Sequence, residues 1–270
     1  MQLTDEQIDR YEQDGYLVLE SVFDTGERDA LLAALARDSE TDGPHRIVED
    51  TGELSALYAS YRREAEFADF IRTPRVLHPA QTLLAGDVYL YQFKINVKPA
   101  FGKVRVSWHQ DYAAWKIADE LPDPHLVNVA LLLDEATEFN GPLIFVPGSH
   151  RRGNLRGTRD DSPVSEMHLD PEDIALRPGH IASLVDECGM RSVRAPAGSL
   201  VLFSPEVVHG SAPNMSPTPR RLLIATFNRC SNLPRTAQPR PAYLVNDEPA
   251  PLRSPEANFE HAPLVLDGAR

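Results

Sequence analysis

The stretch Asp87-Val88-Tyr89-Leu90-Tyr91-Gln92-Phe93-Lys94-Ile95-Asn96-Val97-Lys98 decides the fold class. Upstream of it apolar residues recur with a helical period. From Asp87 onward the period becomes two. Successive strand side chains point to opposite faces, so Tyr89, Tyr91, Phe93, Ile95 and Val97 are expected on one face. Gln92, Lys94 and Asn96 are then expected on the other. That polar set reads either as a solvated face or as the ligand-binding wall of a barrel. Similar runs follow at 104–108, 126–134, 143–146, 199–203 and 221–228, most bounded by Gly, Pro or Asn. Helices come before them. Thr4 and Gln7 read as a capping box ahead of Ile8 and Tyr11. Leu31, Leu32 and Leu35 make a stripe within 26–38, and Thr73-Pro74 opens a helix to Leu84 that Gly86 ends. The expectation is a mainly β protein with N-terminal helices and a double-stranded β-helix, or jelly-roll, core. Such a fold places ligands inside its barrel.

The expected organisation is one domain over 1–270. Residues 1–86 form a helical layer and flap, and 87–230 the jelly-roll core. An insertion at 151–190 interrupts the core as a lid, and a proline-rich tail at 231–270 is expected to wrap the surface in extended form. A 40-residue polar insertion is uncommon without a role in binding or closure. The net charge of −13 argues against nucleic acid and anionic membranes as partners. Cys188 and Cys230 sit in no Cys-x-x-Cys or zinc pattern. The acidic N-terminus is no signal peptide, and no apolar run approaches the ~20 residues of a membrane span. A cytoplasmic location is expected, with the oligomeric state left open.

Just after the long strand stands Trp108-His109-Gln110-Asp111, answered about a hundred residues later by His209. If His109 and Asp111 lie on a strand or its extended end, both point the same way and grip one ion. Two imidazoles and a carboxylate on one face of a metal suit iron(II) and leave open positions. Arg220 lies eleven residues past His209 at the head of an apolar run. Its guanidinium is expected to be a bidentate clamp for a carboxylate, here the distal carboxylate of 2-oxoglutarate. A passive metal-binding jelly-roll module, the rival reading, has no need of it. Of the other histidines, His45, His78, His125, His180 and His261 read as surface or structural, and His150 as part of a turn. Trp115 is a candidate pocket wall where a loop leaves the strand. The segment 45–50, with Tyr58 and Tyr61 after it, reads as a surface loop or as a flap carrying Arg46 and Glu49 to a zwitterion.

These residues resemble a known family. Trp108-His109-Gln110-Asp111-Tyr112, Phe139-Asn140-Gly141-Pro142-Leu143, Pro147-Gly148-Ser149-His150 and His209-Gly210-Ser211 with Arg220 are similar to the phytanoyl-CoA dioxygenase superfamily of Fe(II)/2-oxoglutarate oxygenases. Residues 108–115 resemble its ectoine-hydroxylase branch. His45-Arg46-Ile47, Ala56-Leu57-Tyr58-Ala59-Ser60 and Gln92-Phe93-Lys94-Ile95-Asn96 resemble the bacterial hydroxylases of free L-leucine in peptide-antibiotic biosynthesis. The resemblance implies His109, Asp111 and His209 as iron ligands. It implies Arg220, Ser211, Gln92 and Asn96 as 2-oxoglutarate contacts, with Trp115 on the pocket wall and Leu169 over the substrate. Ala113 and Ala114 replace the ectoine enzymes' acidic and aromatic residues, which disfavours ectoine itself. Asp111 disfavours chlorination. The expected activity is hydroxylation of a free, leucine-like amino acid with O2 and 2-oxoglutarate, releasing succinate and CO2. Proline-like, ectoine-like or carrier-bound substrates are the alternatives. Charged substrate ends need buried partners; Arg46, Tyr58, Lys94 and His168 are the candidates.

Overall fold

The computed structural model describes residues 1–49, 51–155, 174–246 and 248–255. The chain opens with α1 (Asp5–Asp14), whose capping box is the expected one. Thr4 accepts from the Gln7 amide, and Gln7 accepts from the Thr4 amide. β1 (Tyr16–Leu19) and α2 (Thr25–Ser39) follow, the helix capped by Asp24 and Glu27 in a second box. Then come β2 (Arg46–Val48), β3 (Leu54–Tyr58), α3 (Ala65–Phe70) and α4 (Pro74–Leu84). The remaining elements are β4 (Val88–Lys98), β5 (Val106–His109), α5 (Asp111–Ala118), β6 (Leu126–Leu132) and β7 (Ile144–Phe145). They continue with α6 (Pro178–Cys188), β8 (Arg191–Ser192), β9 (Leu200–Phe203), β10 (His209–Ser211) and β11 (Arg220–Arg229).

The strands make two antiparallel sheets, ordered β1-β9-β6-β11-β4-β3-β2 and β5-β10-β7-β8. This is the expected jelly roll. One face of the large sheet buries Phe93, Ile95, Leu131 and Leu223 against Leu31, Phe67 and Val76 of the helices. The opposite face packs Ala130, Phe203, Leu222 and Ile224 against Phe145 of the small sheet. Among the described residues no helix is long and apolar enough to cross a membrane.

Three expectations are corrected. First, β4 carries a bulge: Gln92 pairs with Thr226 but Leu90 with Phe227, so Tyr91 is an extra residue. The parity therefore reverses at Tyr91. Leu90 joins Phe93 and Ile95 under the helices. Tyr89 and Tyr91 turn to the interior with Trp115, not to the helical face with Phe93. Second, the expected flap is a β2–β3 hairpin on the sheet edge, pairing through Leu57 opposite Ile95. Third, the tail does not simply wrap the surface. Leu244 and Val245 are buried, Gln92 donates to Leu244 O at 3.0 Å, and the Asn246 amide bonds Tyr91 O at 2.8 Å. The end of the expected lid is helical, as the residues from Ile181 to Glu187 suggest: Ile181 and Leu184 of α6 cluster with Val146 and Val208.

Candidate active site

His109 ends β5 and His209 begins β10, and the two are direct cross-strand partners with ring centroids 4.3 Å apart. The Nδ1 of His109 contacts Ser107 O at 2.7 Å and that of His209 contacts Val207 O at 3.0 Å. A carbonyl at Nδ1 selects the tautomer whose Nε2 carries the lone pair. Both Nε2 atoms face Asp111, at 3.4 Å and 3.8 Å from its two carboxylate oxygens. Gln110 between them is extended (φ −120°, ψ 125°), which keeps Asp111 on the side of His109. Asp111 itself is not on the strand, as expected from parity, but is the first residue of α5. A helix N-terminus favours a negative charge.

The three ligand atoms lie within 4.8 Å of one another, and all three residues are buried. Burial alone would raise the Asp111 carboxyl. His209, His109 and Lys94 outweigh it and hold the group well below the usual carboxylate range. Burial, and then neighbouring His109, push His209 down to about 4. An ionised carboxylate beside a neutral imidazole is what a divalent cation requires of such ligands. The donor set fits iron(II).

A cavity beside this cluster is lined by Tyr58, Gln92, Lys94, Ala114, Trp115, Ile174, Arg240 and Leu244. Trp115 stands one turn after Asp111 on α5, not on a loop, and meets Tyr91 edge-on at 5.3 Å. Arg240 comes from the tail. Its guanidinium grips Asp119 in two hydrogen bonds, the first at 2.8 Å, and the Tyr91 hydroxyl donates to the same carboxylate. Burial would lower the Arg240 pKa, but Asp119 outweighs it and the net shift is upward.

A second polar centre surrounds Arg220. This residue is buried, donates to Gly141 O at 3.2 and 2.8 Å, and forms no salt bridge among the described residues. Gly141 has φ +70°, and a Cβ there would meet Ala212 O at 2.4 Å, so only glycine fits the turn that presents this carbonyl. Burial lowers Arg220 to about 10. Buried Lys98 bonds Val104 O at 3.0 Å and also Ala212 O. Burial, then the charge of Arg220, push it to about 7. The Ser211 hydroxyl is buried with no hydrogen-bond partner among the described residues. A buried guanidinium with a buried amine beside it suits the carboxylate of a ligand.

Residues 11–222 match the family Phytanoyl-CoA dioxygenase (PhyH). The chain belongs to the phytanoyl-CoA dioxygenase family. It is 33% identical over 250 residues to L-proline trans-4-hydroxylase of Streptomyces griseoviridis, covering 90% of this chain and 92% of that one. It is 32% identical over 264 residues to the ectoine dioxygenase of Halomonas elongata, covering 93% and 78%. The crystal structure of EctD from S. alaskensis with 2-oxoglutarate and 5-hydroxyectoine superposes with a TM-score of 0.80 at 27% identity, over 93% of this chain and 87% of that one. This member of the family is therefore a non-heme iron dioxygenase on a jelly-roll core.

In this dioxygenase the predicted residues fall into three groups. His109, Asp111, Tyr58, Gln92, Lys94 and Trp115 converge on one cavity, with His209 completing the ligand cluster. Arg220 lies at the second centre, Ser211 precedes the Ala212 whose carbonyl meets Lys98, and Arg221 points away to grip Asp134 at 2.8 Å. Arg46 and Asn96 do not line the cavity. Arg46 donates to Ser39 O at 2.9 Å, because its place on β2 turns it toward α2. Asn96 is half-buried between Ala56 and Leu222 in the sheet. Glu49, held in the hairpin turn, does not line the cavity either. His168 and Leu169 lie outside the described residues. His150 is engaged at Glu12 O, 3.1 Å away, apart from the metal cluster. Sequence reasoning missed Arg240, Asp119, Ile174 and Leu244. An arginine between Pro239 and Pro241 in an otherwise weakly charged stretch was the available signal for the first.

Proposed function

We propose that this dioxygenase hydroxylates an unactivated C–H bond of a free small aliphatic amino acid, leucine-like, with 2-oxoglutarate as co-substrate. The observation that carries the reading is the cavity itself. Lys94 and Arg240 reach the same small space as Trp115, Ile174 and Leu244, directly beside His109 and Asp111. Two cations answer a carboxylate, and the apolar wall answers an aliphatic side chain. The ionised ends of an amino acid would be buried at high cost without such partners. Leucine as the preferred side chain rests on the sequence resemblance around His45, Tyr58 and Gln92.

Iron(II) would be held by the Nε2 atoms of His109 and His209 and by the Asp111 carboxylate. When bound it couples O2 to the decarboxylation of 2-oxoglutarate, giving succinate and CO2 and an oxidant for the C–H bond. The chain's own residues then bind and aim. Arg220 and Ser211 hold the distal carboxylate of 2-oxoglutarate, with Gln92 nearer the cavity. Tyr58, Lys94 and Arg240 hold the amino acid, and Trp115 closes the wall against water. Both cysteines are free thiols, which suits a reducing cytoplasm.

A proline-like substrate is the second reading, favoured by the likeness to an L-proline trans-4-hydroxylase. The test is a mass-spectrometric screen of the twenty amino acids and ectoine, with iron(II), ascorbate and 2-oxoglutarate, for a gain of one oxygen. Leucine or a close homologue should be the best substrate. Turnover of ectoine alone, or succinate formed equally with and without every amino acid, would sink the proposal.

A further inference from the structure

We infer that Asn128 and Thr226 are positioning residues that hold Asp111 so that one of its carboxylate oxygens serves the metal. The inference rests on the metal reading above, and nothing in it depends on which substrate is hydroxylated. Asn128 lies on β6 and Thr226 on β11, directly opposite each other in the sheet register. Both are almost fully buried, at 2% and 1% exposure. The Thr226 hydroxyl donates to Asn128 Oδ1 at 2.7 Å, and Asn128 Nδ2 donates to Asp111 Oδ2 at 2.8 Å.

The direction of this relay is set by charge. An asparagine side chain presents either an N–H pair or a carbonyl oxygen to a neighbour, and the network decides which. Reversed, the Asn128 carbonyl would face an ionised carboxylate with no hydrogen between them. The Thr226 hydroxyl, by donating to Oδ1, fixes the orientation in which Asn128 donates to Asp111. The carboxylate is thus tied at Oδ2, while Oδ1 lies 3.4 Å from His109 Nε2. A carboxylate can ligate a cation through one oxygen or two. Tying one of them reserves positions on the ion for other ligands. Neither Asn128 nor Thr226 lines the cavity, so their influence passes through Asp111.

The experiment uses the full-length protein and Co(II) as an iron(II) analogue. Its absorption reports coordination number, and its affinity is measured by calorimetry without O2. Thr226→Val removes the hydroxyl at nearly constant volume, Asn128→Ala removes the relay, and Thr226→Ser retains the donor. Loss of such partners of metal ligands weakens binding roughly 10–100-fold. Thr226→Val and Asn128→Ala should show that loss and an altered Co(II) band at saturation. Thr226→Ser should restore both. Affinity within about twofold of wild type, with an unchanged band, in a folded Thr226→Val variant would overturn the inference. If Asn128→Ala fails to fold, the Thr226 pair decides alone. A wild-type protein that binds no Co(II) would instead overturn the metal reading itself.

Discussion

Replacing Arg220 with leucine should move stability and co-substrate affinity in opposite directions. The residue is 3% exposed, and among the described residues its guanidinium has only the Gly141 carbonyl as a hydrogen-bond partner. The Asp134 carboxylate, which acts on it at a distance, is already gripped by Arg221. Burial takes Arg220 from 12.5 to about 10. At about 1.4 kcal/mol per pKa unit, the uncompensated charge costs the ligand-free fold on the order of 3 kcal/mol. Leucine removes that cost and leaves Gly141 O unsatisfied, which takes back about 1 kcal/mol. Urea unfolding of the ligand-free variant should therefore show a gain of about 2 kcal/mol, or at worst no loss. Binding of 2-oxoglutarate should fall steeply. Breaking one side of a buried charge pair costs about 3–5 kcal/mol, roughly 10²- to 10³-fold or more in Kd. Calorimetry of 2-oxoglutarate with the Mn(II)-loaded protein measures this, and amino-acid affinity should change far less. A ligand-free variant several kcal/mol less stable, with unaltered 2-oxoglutarate binding, would refute the reasoning. Arg220 would then be a tether for the Gly141 turn, and Lys98 the first suspect for the clamp.

The other expectations are as direct. His109→Ala, Asp111→Ala and His209→Ala should each abolish turnover while circular dichroism stays native, because the ligands sit on paired strands and at the head of a helix packed into the core. Arg240→Ala should raise KM for the amino acid about 10- to 100-fold, the worth of a charge-assisted hydrogen bond. Asp119→Asn should do so less, with the 2-oxoglutarate requirement unchanged in steady-state kinetics. Lys98 carries a pH dependence. Its folded pKa of about 7 lies below its ordinary 10.5, so the unfolded chain binds the extra proton between these values. Stability rises with pH through this window and is lost as pH falls through 7. The Lys98 contribution should amount to about 3 kcal/mol between pH 7 and 9.5 and be absent in Lys98→Met. A pH profile of unfolding identical in the two proteins would count against it.

The readable parts of this chain were those governed by local rules. Thr4-x-x-Gln7 caps a helix whatever lies around it, and both capping boxes follow from side chains three residues apart. The β4 period survives because Phe93, Ile95 and Val97 must reach the helical layer. The ligand cluster was legible because His109, Asp111 and His209 are types that bury together for few other reasons. What stayed hidden depended on distant pairing. The Tyr91 bulge exists only relative to β11, so strict alternation put Tyr89 and Tyr91 on the wrong face. Arg46 looked like a substrate contact until the β2–β3 hairpin turned it to Ser39. Arg240 sits in a segment whose prolines suggest an extended surface path. Its pairing with Asp119, 121 residues away in sequence, holds it inside.

The helix after the metal motif explains why these distant parts meet. Asp111, Trp115 and Asp119 stand four residues apart, from the first turn of α5 to its C-cap, and so share one side of it. One short helix thus carries a metal ligand, a wall of the cavity and the anchor of Arg240. Tyr112 fixes its far end by donating to Leu121 O at 3.1 Å and Pro122 O at 2.9 Å. Because a helix transmits position along its axis, the distance from Asp111 to the anchor of Arg240 is set by about 12 Å of rigid backbone, at 1.5 Å per residue. The tail contributes Arg240 to a place α5 has already determined. Asp119 thereby fixes where Arg240 meets the cavity, while Asp111 is held separately by Asn128.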